Sequence, residues 1–406
     1  MNQTLTSKLP AFDMGSITAT IERALSSAGL QTSSGPMHQV TETIRHALAS
    51  AGLHGESATG RTLVSDAAVI DVVVREVETP AAEPLPGNSP PVGNVVAPGS
   101  FTTHHFRNHA GARSYKLFVP TTLPSTPVPL IVMLHGCTQS ADDFAAGTQM
   151  NRLAEEQGFL VVYPEQARNA NGSNCWNWFK TQDQLRDSGE PSLIAGITRE
   201  VSEKHGVDPR RIYVAGLSAG AAMAVILGET YPEIYAAIGA HSGLPYGAAH
   251  DMPSAFAAMA GGRGGMPDLS KLPGLTDLPG SVPAAAKKAT NFVPTIVFHG
   301  DQDHTVGQSN GTEIIEQAVV ALSGEASRPL LAPSTHNGVS PRGRAFSRTV
   351  YADETGQPRV ESWVLHGAGH AWSGGHASGS FTDGAGSDAS AEMVRFFLAQ
   401  RSAGSA

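Results

Sequence analysis

The chain has 406 residues, of which 40% are hydrophobic and 16% charged, with 44 glycines and 27 prolines. This length allows one large α/β domain with an addition, or two medium domains. The formal net charge is −9 and no basic tract is present, which argues against nucleic-acid binding. No apolar run is long enough to cross a bilayer. Composition therefore excludes membrane-spanning, nucleic-acid-binding and fibrous roles, and names no function.

The first hundred residues differ from the rest of the chain. Residues 17–30 (ITATIERALSSAGL) and 40–53 (VTETIRHALASAGL) are close copies with apolar residues at helical spacing. We therefore expect an N-terminal extension over residues 1–76 with two short amphipathic helices, which need another apolar surface to be stable. The proline-rich stretch 77–100 predicts an extended linker. A folded domain is expected over residues 101–406.

The N-terminus and the cysteines bear on the compartment. The first fifteen residues carry one lysine and no continuous apolar segment, so we expect the cytoplasm, with export by a non-Sec route to the extracellular space as the alternative. The only cysteines are Cys137 and Cys175. They exclude a disulfide framework, and either form one bridge or remain two reduced core thiols.

Strand and helix signals alternate from residue 101 onward. Predicted strands cover 101–108, 114–120, 129–134, 159–163, 212–216, 236–240, 295–298 and 361–365, the first two as an antiparallel pair and the last paired with a strand around Val350. Predicted helices cover 142–157, 192–205, 219–228, 311–322 and 392–400, the last with Ser387 or Ser390 as its N-cap. This alternation predicts an α/β fold with a mostly parallel central sheet and helices on both faces. Functional residues should follow the carboxyl ends of the strands.

The alternation stops over residues 245–293. This stretch is rich in Met, Gly, Pro and Ala, without helical or strand periodicity. Long irregular segments in compact domains are often functional. We expect a loop that covers the active-site edge of the sheet.

Residues 216–220 read Gly-Leu-Ser-Ala-Gly, between a predicted strand and an apolar helix. This is the G-x-S-x-G pattern of a nucleophile elbow in its strand–turn–helix context. The small residues allow a tight turn that projects Ser218 from the sheet edge. The sequence thus predicts Ser218 as a nucleophile.

A nucleophilic serine needs a base and an orienting carboxylate, which in α/β hydrolases follow in the order Ser, acid, His. Asp301 and Asp303 both follow the strand at 295–298, and Asp303 fits the G-x-x-D-x-x-V pattern better. We predict Asp303 as the acid and expect Asp301 to accept hydrogen bonds from loop amides. After the last strand, His370 lies in a G-x-G-H turn and is the predicted base, whereas His366 is expected to be structural.

The oxyanion formed by such chemistry needs two backbone donors. One is expected to be the N–H of Ala219, directly after the nucleophile. The other should come from the loop that follows the strand at 129–134, and we choose Cys137 N–H, with Thr138 or Gln139 as alternatives.

An aromatic segment, Asn-Cys-Trp-Asn-Trp-Phe, begins at residue 174. Together with Trp372, its residues Trp176 and Trp178 are candidates for an apolar substrate wall, although a core position is an equal alternative for Trp176. Since both cysteines fall on loops at this edge, a Cys137–Cys175 bridge would lock the oxyanion loop to the aromatic segment.

These motifs together resemble the PHB depolymerase family of esterases, in the α/β-hydrolase superfamily. The resemblance rests on LHGCTQSADDFA from Leu134, NCWNWF from Asn174, GLSAGAAMA from Gly216, HSGLPYG from His241, FHGDQDHTV from Phe298, GAGHAWSGG from Gly367 and DASAEMVRFFL from Asp388. It implies hydrolysis of poly(3-hydroxybutyrate) or related short-chain hydroxyalkanoate esters. It carries the triad to Ser218, Asp303 and His370, and the oxyanion donors to Cys137 and Ala219. No cofactor and no metal are expected.

The resemblance covers roughly residues 101–398. Secreted depolymerases usually carry a signal peptide and a C-terminal polymer-binding domain, so we expect this chain to represent a shorter, unsecreted branch with an N-terminal extension. The alternatives are a carboxylesterase for small or plant-derived esters of the feruloyl or acetylxylan type, and a protein that binds polyester granules through its N-terminal helices. The oligomeric state is left open.

Overall fold

The computed structural model describes three stretches of the chain, residues 99–261, 291–326 and 331–402. The predicted extension over 1–76, nearly all of the linker and residues 262–290 of the predicted cover lie outside the described residues. Among the described helices, none has the length and apolar character of a membrane span.

A ten-stranded sheet lies at the centre of the described structure. Its strands are β1 (Ser100–Asn108), β2 (Gly111–Val119), β3 (Val128–Leu134), β4 (Leu160–Pro164), β5 (Val207–Leu217), β6 (Ala237–His241), β7 (Thr295–Gly300), β8 (Ser334–Val339), β9 (Ala345–Ala352) and β10 (Pro358–Leu365). Their spatial order is β1-β2-β4-β3-β5-β6-β7-β10-β9-β8. Neighbours from β4 to β10 in this order pair in parallel, and antiparallel pairs extend both sides. The predicted mostly parallel sheet is confirmed.

Helices connect these strands. They are α1 (Ala141–Thr148), α2 (Met150–Gln157), α3 (Gly189–His205), α4 (Ala219–Thr230), α5 (Met252–Met259), α6 (Ser309–Ala326) and α7 (Ala389–Leu398), with a 3₁₀ turn at Thr181–Gln184. Two short strands, β11 (Trp372–Ser373) and β12 (Thr382–Asp383), form a separate parallel pair.

Apolar side chains of the central strands alternate between two cores, one on each face of the sheet. In β3, Leu130 and Val132 pack into the core that α3, α4 and α6 cover. Ile131 and Met133 pack into the opposite core, with α1, α2 and α7. Burial on both faces explains why β3 is a continuous apolar run instead of an alternating one.

Three local predictions need correction. The predicted helix 142–157 is two helices, because Gln149 adopts a left-handed φ of 55° that ends α1. The N-cap of α7 is Asp388, whose side chain accepts from Ala391 N–H, whereas Ser390 lies inside the helix. The predicted irregular stretch 245–293 contains α5, which begins at a capping box formed by Asp251 and Ser254.

Candidate active site

Ser218 lies in a sharp turn between β5 and α4, at φ 57° and ψ −120°. This conformation is strained for a residue with a side chain, and such strain is typical of functional sites. The flanking glycines make the turn sterically feasible. A Cβ on Gly216 would lie 2.4 Å from the carbonyl carbon of Gly220, and a Cβ on Gly220 would lie 2.1 Å from the carbonyl oxygen of Leu134. The structure therefore has the nucleophile-elbow geometry that the sequence predicts.

Asp303 follows β7 and accepts hydrogen bonds from two backbone amides and from His370. The amides of Thr305 and Val306 donate to its Oδ1 at 3.0 and 2.9 Å. His370 Nδ1 lies 2.7 Å from Asp303 Oδ2. The buried His299 ring places its Nε2 3.5 Å from the same oxygen and donates from it to the Val306 carbonyl at 2.8 Å. The structure thus brings together the predicted acid and the predicted base.

The charge state of Asp303 suits the role of an orienting carboxylate. Burial by itself raises the pKa of this group, but hydrogen bonds from His299 and His370 outweigh burial, and the pKa lies well below its ordinary value. The side chain remains a carboxylate at neutral pH. It therefore accepts the Nδ1–H of His370, and this tautomer leaves His370 Nε2 free to take a proton.

The competing residues, Asp301 and His366, pair with each other. His366 Nδ1 lies 2.9 Å from Asp301 Oδ2, and the amide of Gly367 donates to Asp301 Oδ1 at 2.7 Å. The prediction that Asp301 satisfies a loop amide is confirmed. On its other side, His366 Nε2 lies 2.8 Å from Ser347 Oγ, so a second Ser–His–Asp arrangement exists, but the Ser347 hydroxyl donates its proton to Asn337 Oδ1 at 2.7 Å and not to the histidine. Sequence reasoning missed it because Ser347 lies within β9, without an elbow motif.

Four amides of the loop after β3 are candidates for the oxyanion donor, and three of them are engaged. Gly136 N–H donates to the Gln139 side chain at 2.9 Å, Thr138 N–H donates to the Ser173 carbonyl at 2.7 Å, and Gln139 N–H donates to the Gly136 carbonyl at 3.3 Å. These bonds leave the Cys137 N–H as the donor available to a ligand. Thr138 and Gln139, the alternative choices, have their amides committed to the loop itself.

Ala219, the other predicted donor, is the first residue of α4. The amides of a helix's first turn have no acceptor within the helix, and the helix dipole adds positive potential at that end. An oxygen atom next to Ser218 would therefore meet a favourable environment at this helix end.

A disulfide joins Cys137 to Cys175, with the Cα atoms 4.2 Å apart. The bond fastens the loop after β3 to the aromatic segment that begins at residue 174. Gln166 supports this arrangement, because its side chain donates to the Cys175 carbonyl at 2.8 Å. Cys137, the predicted oxyanion donor, is thus held covalently, and its sulfur is not available as a nucleophile.

The predicted tryptophan wall requires correction. Trp176 is 0% exposed and donates from its indole N–H to the His135 carbonyl, and Trp372 is 1% exposed and donates to Ser390 Oγ. The prediction of substrate contact is wrong for these two residues because both lie in the packed core. For Trp178, which is buried edge-to-face against Phe179, substrate contact stays a prediction.

Sequence reasoning also missed three buried histidines beneath the site. His135, His241 and His299 all lie at or next to the carboxyl ends of parallel strands, a position that could have singled them out. Burial lowers the pKa of His241 to about 3, and burial likewise lowers that of His135. Both rings are therefore neutral and accept backbone amides, from Ser373 and Gln166 respectively. They act as supports for the surrounding loops.

The strand order, the serine turn after β5 and the loops after β7 and β10 define the α/β-hydrolase class. The acetyl xylan esterase from Aspergillus awamori shares this fold, with a TM-score of 0.54 at 19% identity over 73% of this chain and 99% of that one. The sequence profile described as Esterase PHB depolymerase matches residues 113–327, more than half of the chain. The chain belongs to this esterase family.

The relatives of this chain are named for different ester substrates. Poly(3-hydroxyalkanoate) depolymerase C of Paucimonas lemoignei is 34% identical over 256 residues, which are 62% of this chain and 56% of that protein. Feruloyl esterase B of Talaromyces stipitatus is 25% identical over 280 residues, 68% of this chain and 73% of that protein. The match thus spans little more than half the length of the depolymerase.

Proposed function

We propose that this protein is a serine esterase that uses Ser218, His370 and Asp303. The observation that carries the proposal is the 2.7 Å hydrogen bond between His370 and Asp303, in loops at the same sheet edge as the strained Ser218 turn. The proposal adds a Ser218–His370 hydrogen bond in the substrate complex. Hydrogen bonds of this kind are often long in unliganded sites and shorten when substrate binds.

The reaction is acyl transfer in two steps. Ser218 Oγ attacks the ester carbonyl carbon as His370 Nε2 takes the hydroxyl proton, and the carbonyl oxygen becomes an oxyanion held by the amides of Cys137 and Ala219. Collapse of this intermediate breaks the carbon–oxygen ester bond, and His370 gives the proton to the departing alcohol. Water then attacks the acyl-enzyme with the same base, which releases the acid and restores Ser218.

The proposed substrates are poly(3-hydroxybutyrate) and related short-chain hydroxyalkanoate esters. The similarity to a poly(3-hydroxyalkanoate) depolymerase supports this choice. The alternative substrates, feruloyl or acetylxylan-type esters, are supported by the feruloyl esterase relative.

A substrate panel with purified protein tests the proposal. Hydroxybutyrate oligomers, amorphous and crystalline polymer, feruloyl esters and acetylated xylan are compared by kcat/KM. Preference for the hydroxybutyrate esters supports the proposed substrate, whereas preference for feruloyl or acetyl esters supports the alternative. Ser218→Ala must abolish turnover of a short p-nitrophenyl ester. Because Ser347 also lies against a histidine, Ser347→Ala serves as the matched control and should keep wild-type activity.

The predicted N-terminal extension and the compartment complete the proposal. We propose that residues 1–99 assist attachment to polyester granules, so their deletion should reduce granule binding without loss of p-nitrophenyl ester hydrolysis. Equal binding by the shortened protein would refute that role.

We further propose an oxidising compartment in preference to the cytoplasm, since disulfides rarely persist among reducing thiols. Thiol trapping in cell fractions tests this assignment. A disulfide between Cys137 and Cys175 is expected, and free thiols at both positions would contradict it.

A further inference from the structure

The side chain of Gln139 connects three segments of the candidate site. It is 2% exposed, and its Oε1 accepts the Gly136 N–H at 2.9 Å. Its Nε2 donates to Asp143 Oδ2 at 2.8 Å and to the carbonyl and hydroxyl oxygens of Ser380 at 3.2 Å. The oxyanion loop is thus tied both to α1 and to the segment that follows His370.

Asp143 is fixed as the acceptor in this network. The Ser380 amide donates to Asp143 Oδ1 at 2.9 Å and the Ser380 hydroxyl donates to Oδ2 at 2.6 Å. Burial raises the pKa of Asp143, but the hydrogen bonds from Ser380 and Gln139 outweigh burial and lower it. The carboxylate therefore remains charged and orients the Gln139 amide, with Nε2 toward Asp143 and Oε1 toward Gly136.

Gln139 also acts on the peptide group that carries the Cys137 N–H. The carbonyl of that peptide belongs to Gly136, and it accepts from His135 Nδ1 at 2.8 Å and from the Gln139 amide at 3.3 Å. In a trans peptide the N–H lies opposite the carbonyl. The Gln139 side chain also holds the preceding peptide group through the Gly136 N–H. The two peptide groups that lead into Cys137 are therefore both constrained, and the direction of the Cys137 N–H is set.

We propose that Gln139 is a positioning residue for the oxyanion hole, which holds the Cys137 N–H in the direction that a developing oxyanion requires. The inference rests on the proposed ester hydrolysis. It predicts an effect on the transition state instead of on ground-state binding, because the oxyanion exists only as the ester carbonyl is attacked. Loss of the side-chain bonds should therefore lower kcat and leave KM nearly unchanged.

Gln139→Glu tests the proposal with little change in shape. It places a second carboxylate against Asp143, and this repulsion should displace the loop. We expect kcat on a p-nitrophenyl ester to fall about 10- to 100-fold. This loss should not exceed the loss caused by removing an oxyanion donor outright, because the Cys137 N–H is displaced and not removed. KM should change by less than about threefold. The affinity for a trifluoromethyl ketone, which binds serine hydrolases as a tetrahedral adduct, should fall in parallel with kcat.

The double variant Gln139→Glu/Asp143→Asn provides the rescue. An asparagine at position 143 can donate to the new glutamate and still accept the Ser380 amide, so the bond between positions 139 and 143 is restored with the donor and acceptor exchanged. The Ser380 hydroxyl can turn to donate to the glutamate, whereas the bond to the Ser380 carbonyl is lost. We expect the kcat of the double variant to lie clearly above that of Gln139→Glu and below that of the wild type. Gln139→Met, which removes all of the side-chain hydrogen bonds without adding a charge, should reproduce the loss if Gln139→Glu does not fold.

Gln400→Glu is the matched control for loss of a buried glutamine bond. Its Nε2 donates to the Pro358 carbonyl at the start of β10, at the opposite sheet edge, so kcat should remain that of the wild type. The proposal is overturned if folded Gln139→Glu and Gln139→Met keep kcat within twofold of wild type, or if the double variant shows no recovery. Failure of ester hydrolysis itself is a separate result, because it would appear as an inactive wild type or as a fully active Ser218→Ala variant.

Discussion

Replacement of Asp303 by asparagine tests the assignment of the acid most directly. In the native site His370 donates its Nδ1–H to Asp303 Oδ2 at 2.7 Å. The amides of Thr305 and Val306 occupy Oδ1, so an asparagine keeps its oxygen there and presents its NH₂ group to the imidazole. His370 then carries its proton on Nε2 and can no longer accept one from Ser218.

The size of this effect follows from the change of tautomer. An orienting aspartate replaced by asparagine in a Ser–His–Asp site costs a factor of about 10⁴ in kcat. We expect a loss of about 10³- to 10⁴-fold here, which corresponds to about 4 to 5.5 kcal/mol in the activation free energy. The assay is kcat for a short p-nitrophenyl ester near pH 8, with thermal unfolding to show that the variant is folded.

Asp301→Asn is the matched control because it makes the same chemical change two residues earlier. Asp301 pairs with His366 and not with His370, so its substitution should lower kcat by less than about tenfold. The assignment would be refuted if Asp303→Asn kept kcat within tenfold of wild type while Asp301→Asn abolished it.

Three further predictions concern stability. Cys137→Ser/Cys175→Ser should lower the free energy of unfolding by about 4 kcal/mol in denaturant titrations, from the chain entropy of a loop with a separation of 38 residues; an unchanged midpoint would contradict it. Gly220→Ala should prevent folding or abolish activity, because its Cβ would lie 2.1 Å from a carbonyl oxygen; a soluble, active variant would refute this. Burial and the charge of Glu190 raise the pKa of Asp183 to about 6, so the folded state favours the protonated carboxyl. The free energy of unfolding of the wild type should therefore fall as pH rises from about 4 through 6, where Asp183 loses its proton. Asp183→Asn should therefore gain about 2 kcal/mol relative to wild type between pH 4 and pH 8, and parallel pH–stability curves would exclude this explanation.

Sequence patterns predicted the elements whose causes are local. The apolar runs of β3 and β5 and the glycine-flanked serine turn depend on residues that are adjacent in the chain. The αL break at Gln149 escaped prediction, because residues other than glycine and asparagine rarely adopt that conformation and no local signal marks it. The capping box at Asp251 had a recognisable local signal, yet the surrounding Gly and Pro content obscured it.

The sequence by itself determined the α/β class and the order of Ser218, Asp303 and His370, because strand ends and turns are encoded by short-range periodicity and small residues. The sequence favoured Asp303 as the acid, but only the tertiary structure showed that Asp303 meets His370 and Asp301 meets His366, since the two aspartates are two residues apart in one loop. The tertiary structure also decided that Trp176 is core, and it joined Gln139 to a serine 241 residues further along the chain. Such contacts depend on packing between distant segments, which no local pattern specifies.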